Sequence, residues 1–315
     1  MLDGLVPAMW VILSFLSALC LGFYDVSKKR SLQRNTVVNV LAVSLIISSA
    51  ILLVPLVLSR CCLEKMQETL FFVPSVPLRT HLFILLKSCI VLSSWVCSYL
   101  AIKHLPLSVV SPLQATRPMW TLMGAMLIFG EVLNGWQWAG VVCALGSIFV
   151  LSVVEHHSDK TTTADKNRGY YVCLALAILI GSGSGLYDKY MMRHFDHNAV
   201  QVYYTIYQAI IMLLVATIVH HRNNKKQVSN PTSTFHWTWA IAGISVFLVL
   251  SDYVYMVALS DPNSMISVVS TIRRGGTVIP FLYGLIVLKE RDPWRKILAL
   301  LGILAGLLCL ALGSL

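Results

Sequence analysis

Two apolar segments of this chain carry arginines, the side chains here best suited to chemistry. The segment SVVSTIRRGGTVIPF (267–281) holds Arg273 and Arg274, and SVVSPLQATRPMW (108–120) holds Arg117. A charge at the centre of a bilayer costs about 2.5–3.5 kcal/mol, so these side chains are expected to face the interior of a helix bundle. A guanidinium placed there is suited to bidentate pairing with a carboxylate or a phosphate.

Lys87 is a fourth basic residue inside an apolar stretch, and acidic residues are scarcer there. Asp252 is the one acid expected at a comparable depth, whereas Glu131 and Glu290 are expected at helix ends, where water is near. Because Asp252 cannot neutralise all four cations, the pattern favours a binding role for them. Asp252 is expected either to pair with an arginine in the empty state or to carry a proton.

Polar residues recur at helical spacing beside the arginines. One stripe lies on the ninth predicted helix and consists of Ser267, Ser270, Arg274 and Thr277. The fourth predicted helix carries a matching stripe of Ser108, Ser111, Gln114, Pro118 and Thr121. We therefore assign Ser270 and Gln114 to the candidate substrate site. The alternative for each single hydroxyl is ordinary contact between packed membrane helices.

The first and sixth predicted helices end in similar blocks, Tyr24-Asp25 and Tyr187-Asp188-Lys189. We assign Tyr24 and Tyr187 to the same substrate site. The segment GSGSG at 181–185 lets backbones approach closely or lets a helix bend. A hinge beside the pathway and tight packing alone both remain open.

Composition indicates which elements must position these residues. The chain has 315 residues, of which 57% are hydrophobic and 12% charged, whereas soluble domains carry about 25% charged residues. A membrane-spanning helix needs about 20 apolar residues, and the sequence predicts ten of them and an all-α fold. The predicted spans are 5–24, 36–58, 80–102, 106–129, 134–154, 169–189, 198–220, 237–259, 264–288 and 294–314.

The net charge of +10 is explained by basic loops on one side of the membrane. Nucleic-acid binding is not indicated, because no basic run alternates with exposed aromatic residues. The odd-numbered loops, counted from the N-terminus, hold most of the basic residues, Lys28 among them, and the even-numbered loops hold few, Lys189 among them. This distribution favours both termini outside the cytoplasm.

The chain divides into two similar halves. The linker 155–168 separates a five-helix unit at 1–154 from a second at 169–315. The letters SVVS occur in both halves, and at the same offset Glu131 falls on Glu290. Because each unit has an odd number of spans, the second must enter the membrane inverted. Inverted repeats enclosing a midplane site are a construction principle of secondary transporters.

The paired blocks LPLSVVSPLQATRPMWTLMGAMLIFGEVLNGWQWAG and DPNSMISVVSTIRRGGTVIPFLYGLIVLKERDPWRK resemble the EamA family of the drug/metabolite transporter superfamily. The resemblance covers nearly the whole chain. It implies a ten-helix carrier of small metabolites that works by alternating access. It also implies both termini in the cytoplasm, which disagrees with the charge distribution.

The residues and the resemblance together predict a multi-pass secondary transporter of the inner (plasma) membrane. Its cargo is expected to be a small organic metabolite, preferably one with a carboxylate or phosphate. A flippase for an anionic lipid headgroup is the alternative, and an intramembrane enzyme is disfavoured because no GxSxG, HExxH or pair of acids at helical spacing occurs. We expect no cofactor, a monomer or homodimer in the lipid bilayer, and coupling to a proton or another ion as an option.

Overall fold

The computed structural model contains α-helices and no strand in the part of the chain that it describes. That part comprises residues 9–32, 35–104, 114, 117–156, 168–225, 235–276, 278–279, 283, 301–302, 305–306, 308–309 and 312–313. The helices are α1 (Met9–Leu32), α2 (Val37–Cys61), α3 (Leu63–Gln67), α4 (Leu78–His104), α5 (Arg117–Phe129), α6 (Gly135–His156), α7 (Arg168–His194), α8 (His197–Lys225), α9 (Trp239–Ser260) and α10 (Ile266–Gly275). The all-α prediction is confirmed for these residues.

Six of these helices are long and apolar enough to cross a membrane. They are α1, α2, α4, α7, α8 and α9. Helices suit a bilayer because they satisfy their own backbone hydrogen bonds where no water is present. The number of ten spans stays a prediction, since parts of the fourth, ninth and tenth predicted spans lie outside the described residues. Glu290, Ser108, Ser111 and Thr277 also lie outside them.

Polar side chains determine where two of the helices begin. The backbone N–H of Gln137 donates to Asn134 Oδ1 at 2.8 Å, and the N–H of Asn134 donates to Gln137 Oε1 at 3.0 Å. This reciprocal arrangement resembles a capping box and satisfies two amides at the start of α6. Likewise the N–H of Ala199 donates to Asp196 Oδ1 at 2.9 Å at the start of α8. The chain therefore turns sharply between α7 and α8.

Two helices extend further than the apolar pattern predicted. The first span was expected to end at residue 24 and the sixth at residue 189, but α1 continues to Leu32 and α7 to His194. The assignment of Lys28 and Lys189 to loops is therefore wrong. Lys28 lies on α1 near Asp25, with 3.7 Å between Nζ and Oδ1, and Lys189 is fully buried. Long basic side chains can remain in a helix when acids or carbonyl oxygens surround the ammonium group.

The most extensive helix contacts join the first half of the chain to the second. α1 packs along α9, α4 along α7, and α2 along α8, while α1 also contacts α10 and α5 contacts α7. Exchanging α1, α2, α4 and α5 for α7, α8, α9 and α10 maps this set of contacts onto itself. The main apolar core lies among these helices and includes Ile84, Leu122, Met256 and Ile272.

Serine hydrogen bonds between the halves are related by the same exchange of helices. Ser88 Oγ donates to the carbonyl of Tyr204 at 3.2 Å, and Ser245 Oγ donates to the carbonyl of Ser44 at 2.8 Å. Each hydroxyl also lies within hydrogen-bond distance of the carbonyl four residues earlier in its own helix. Ser88 and Ser245 thus occupy equivalent places on α4 and α9.

A second pair of serines repeats the relation. Ser94 Oγ donates to the carbonyl of Ala177 at 2.9 Å, and Ser251 Oγ donates to that of Ser17 at 3.0 Å. The separation along the chain from Ser94 to Ser251 equals that from Ser88 to Ser245. Two independent interhelical bonds therefore have counterparts when the halves are exchanged.

This equivalence makes a prediction about stability. Ser88→Ala and Ser245→Ala should each lower the free energy of unfolding by about 0.6 kcal/mol, the average for interhelical hydrogen bonds in a membrane protein. The two losses should agree, because each hydroxyl has one carbonyl partner on its own helix and one on a helix of the other half. Reversible unfolding in mixed detergent micelles measures both. Ser93→Ala is the control, since the exposed Ser93 hydroxyl donates to the carbonyl of Cys89 in its own helix and to no other described residue. Losses that differ by more than about 1 kcal/mol would contradict the equivalence.

Candidate functional site

A buried ion pair joins the two halves of the chain. Lys87 on α4 donates to Asp188 Oδ1 on α7 over 2.5 Å, and both residues are buried, at 1% and 8% exposure. The Lys87 ammonium also lies 4.5 Å from the centroid of the Tyr204 ring on α8. Attraction between a cation and an aromatic face adds to the ion pair. The ammonium group carried by α4 is therefore held in place by residues of α7 and α8.

A second ion pair joins α9 to α10. Arg273 Nη2 lies 3.0 Å from Asp252 Oδ1 and donates to Ser251 Oγ at 3.2 Å. Its guanidinium carbon lies 3.9 Å from the centroid of the Tyr255 ring. The Nε of Arg273 is buried and finds no hydrogen-bond partner among the described residues. An unsatisfied buried donor of this kind is costly and indicates a place for water or for a ligand.

Tyr255 connects the two ion pairs. Its ring lies against Arg273, and its hydroxyl interacts electrostatically with Asp188. Asp252 in turn interacts electrostatically with Lys87. We call Lys87, Asp188, Asp252, Tyr255 and Arg273 the central network. Its members come from four helices of both halves, so movement between the halves must alter it.

Arg117 and Arg274 add two more cations beside the central network. Arg117, at the start of α5, interacts repulsively with Arg273 and Arg274 and attractively with Asp188. Arg274 also interacts with Asp25 on α1, and Asp25 lies near Lys28 as well. In the described part of the chain, no carboxylate forms an ion pair with Arg117. Positive charge is therefore in excess at the point where α5 and α10 approach α7.

The structure brings together five of the predicted site residues and places a sixth beside them. The five are Lys87, Arg117, Asp252, Arg273 and Arg274. Tyr24, on α1, is buried and interacts electrostatically with Asp252. This agrees with the expectation that charged side chains in apolar segments face the bundle interior.

Three other predicted site residues are engaged elsewhere. Gln114 Nε2 donates to Ser98 Oγ on α4 at 2.7 Å. Ser270 Oγ donates to the carbonyl of Ser267 within α10. The Tyr187 hydroxyl donates to the carbonyl of Phe83 at 3.2 Å. These contacts connect or stabilise helices and give the three residues no direct link to the central network.

Asp188 and Tyr255 are the two members of the central network that the sequence analysis did not assign to the site. Because the sixth span was predicted to end at residue 189, Asp188 was expected at a helix terminus, and Asp252 was taken as the one deep acid. Both expectations are wrong, since α7 continues to His194 and Asp188 is buried against Lys87. The signal was present in the matching letters Tyr-Asp at 24–25 and 187–188.

Glu131 stabilises the start of α10 and does not lie in water as expected. It is 9% exposed, and its carboxylate accepts the backbone N–H of Ile266 at 2.8 Å and that of Ser267 at 3.2 Å. The Ser267 hydroxyl also donates to Glu131. A carboxylate is stabilising here because the first amides of a helix lack partners and carry partial positive charge.

Lys189 has the complementary role at the end of α9. Its ammonium donates to the carbonyls of Leu259 and Asp261, at 3.3 and 3.2 Å, and to the Ser264 hydroxyl. Cations are favourable at helix C-termini, where carbonyl groups are unpaired. Glu131 and Lys189 thus hold the turn between α9 and α10, on which the position of Arg273 depends.

Other potential sites are weaker. A shallow cleft of about 390 Å³ lies at the ends of α2 and α8 and is lined by Asn39, Ala216, Thr217, His220 and His221. Within the described residues, no group of three His, Cys, Asp or Glu side chains could hold a metal ion.

Comparison with known proteins agrees with this architecture. Residues 8–153 match the EamA-like transporter family, which confirms the resemblance noted from the sequence for that part of the chain. No curated protein matches the chain. One solved crystal structure, described only as that of a protein, aligns with 96% of this chain and 96% of its own, at a TM-score of 0.69 and 12% identity. At that identity the match shows a shared fold alone. Residues 8–153 of this multi-pass membrane protein are therefore similar to the EamA-like transporter family.

Proposed function

We propose that the protein is a secondary transporter of a small organic anion in the inner (plasma) membrane. The observation that carries the proposal is the excess of cations around the central network. Lys87, Arg273, Arg117 and Arg274 meet there, against the three carboxylates of Asp188, Asp252 and Asp25. A substrate carboxylate or phosphate would supply the missing negative charge and could accept two N–H groups of one guanidinium.

Alternating access would follow from the relation between the halves. We take 1–154 and 169–315 as inverted five-helix repeats, joined by 155–168. The exchangeable helix contacts and serine hydrogen bonds support this division. Rocking of one repeat against the other around a fixed central site is how such repeats transport. The central network then lies at the boundary that moves.

The acids of the network would keep the empty site stable. Arg273 is paired with Asp252 in the structure. An incoming anion competes with Asp252 for Arg273, and the released carboxylate would then take up a proton. Binding of the anion and of the proton would thereby be coupled, because each favours the state that the other requires.

Transport by single-arginine variants tests the function. Arg117→Ala and Arg273→Ala should each lower uptake into proteoliposomes at least tenfold, because each removes a cation that contacts the anion. Labelled acetate, succinate and inorganic phosphate are the probes. Arg60→Ala is the matched control, since this exposed arginine donates to the Tyr203 hydroxyl at 3.0 Å and lies outside the network.

Two outcomes would contradict the proposal. One is folded Arg117→Ala and Arg273→Ala protein that transports a probe at the wild-type rate. The other is wild-type protein that transports none of the three probes. If that protein moved a fluorescent anionic lipid between leaflets, the flippase alternative would be favoured.

A further inference from the structure

Gly181 lies where the guanidinium of Arg117 crosses α7. A Cβ built on Gly181 would overlap the Arg117 guanidinium and would lie only 2.6 Å from its Nε. The next residue, Ser182, donates its hydroxyl to the backbone carbonyl of Arg117 at 3.1 Å. One turn of α7 therefore holds both the main chain and the side chain of Arg117.

The need for glycine is specific to this position in the segment GSGSG. A Cβ at Gly183 would meet nothing within 4 Å. A Cβ at Gly185 would only reach ordinary contact, at 4.0 Å, with Thr121 and the Tyr255 hydroxyl. If the segment served only the close packing of helices, a Cβ at each glycine on one face of α7 would be expected to clash. The structure instead requires the absence of a side chain where the guanidinium lies.

Arg117 is also the cation of the site whose charge is least compensated. Its neighbours Arg273 and Arg274 repel it, and no ion pair with a described carboxylate holds it. Lys87 and Arg273 are each oriented by an acid partner, whereas Arg117 is oriented by its contact with α7. Because no described carboxylate pairs with Arg117, an anion would not have to displace an acid partner to reach its guanidinium.

We propose that Gly181 is a positioning residue for the anion site, which keeps Arg117 in the orientation that binds a carboxylate or phosphate. The inference rests on the proposed function. A methyl group at Gly181 would displace the guanidinium, and small displacements of a binding group weaken binding strongly. Gly181 therefore determines affinity for the anion without touching it.

Gly181→Ala and Gly183→Ala form a matched pair for the test. Both exchange glycine for a better helix former on the same helix, but only the first creates the overlap. Uptake of acetate, succinate and inorganic phosphate is measured over a range of concentrations. Gly181→Ala should raise the half-saturating concentration of the transported probe at least tenfold and leave the maximal rate within about twofold. Gly183→Ala should change neither. Equal effects of the two substitutions would overturn the inference.

A double variant separates action through Arg117 from general damage. In an Arg117→Ala background, Gly181→Ala should cause no further loss, because the group it displaces is gone. A further tenfold loss would overturn the inference. If Gly181→Ala alone fails to fold, recovery of a monodisperse protein in the double variant supports the contact, and failure to recover overturns it. If the wild-type protein transports no probe, the proposed function and this inference are both wrong. If the wild type is active and Gly181→Ala leaves its half-saturating concentration unchanged, this inference alone is wrong.

Discussion

Replacing Lys87 with methionine is expected to lower the free energy of unfolding by about 3–5 kcal/mol. The substitution leaves the Asp188 carboxylate buried without its cation, and breaking one side of a buried pair is strongly destabilising. Methionine retains most of the volume of the lysine stem, so loss of packing contributes little. Reversible unfolding in mixed detergent micelles measures the change.

Two further variants show whether the ion pair causes this loss. Lys87→Met/Asp188→Asn should be within about 1 kcal/mol of the wild type, because exchanging a whole buried pair for neutral groups is often nearly neutral. Lys28→Met is the matched control, since its pair with Asp25 is longer, at 3.7 Å, and has side chains exposed by 21% and 34%. It should cost about 0–1 kcal/mol. A Lys87→Met loss no greater than that of Lys28→Met would contradict a buried, tightly coupled pair.

Glu131→Ala is expected to lower the free energy of unfolding by about 3 kcal/mol. It leaves the buried N–H groups of Ile266 and Ser267 without acceptors, and each unsatisfied buried donor costs about 1–3 kcal/mol. It also removes a negative charge from the positive end of α10. Since α10 carries Arg273, the same variant should weaken anion uptake. Unfolding in detergent and proteoliposome uptake measure the two effects.

Glu131→Gln should lose about half as much stability as Glu131→Ala, because the amide retains one oxygen that accepts hydrogen bonds. Glu64→Ala is the control, since Glu64 is exposed in the first turn of the short helix α3. Substitutions at such surface positions usually change stability by at most about 0.5 kcal/mol. If Glu131→Ala behaved like Glu64→Ala, the carboxylate would have no part in holding α10.

Apolar periodicity and the cost of buried charge made part of this protein predictable from its sequence. Long apolar runs in a bilayer can form helices without outside partners, so the all-α fold followed from composition and run length. A charge inside such a run must avoid lipid. For that reason Lys87, Arg117, Asp252 and the two adjacent arginines could be assigned to the bundle interior before any helix was placed.

The partners of these charges were decided by the tertiary structure alone. Spacing along one helix indicates which residues share a face, but the facing helix depends on how all of the helices pack. The pairing of Asp188 with Lys87 therefore became recognisable only when α7 crossed α4, and the role of Glu131 only when the start of α10 lay against it. Gly181 could be assigned to packing or to a hinge from its sequence. The crossing of α5 and α7 places Gly181 against the Arg117 guanidinium. Only a residue without a side chain leaves room for the guanidinium there.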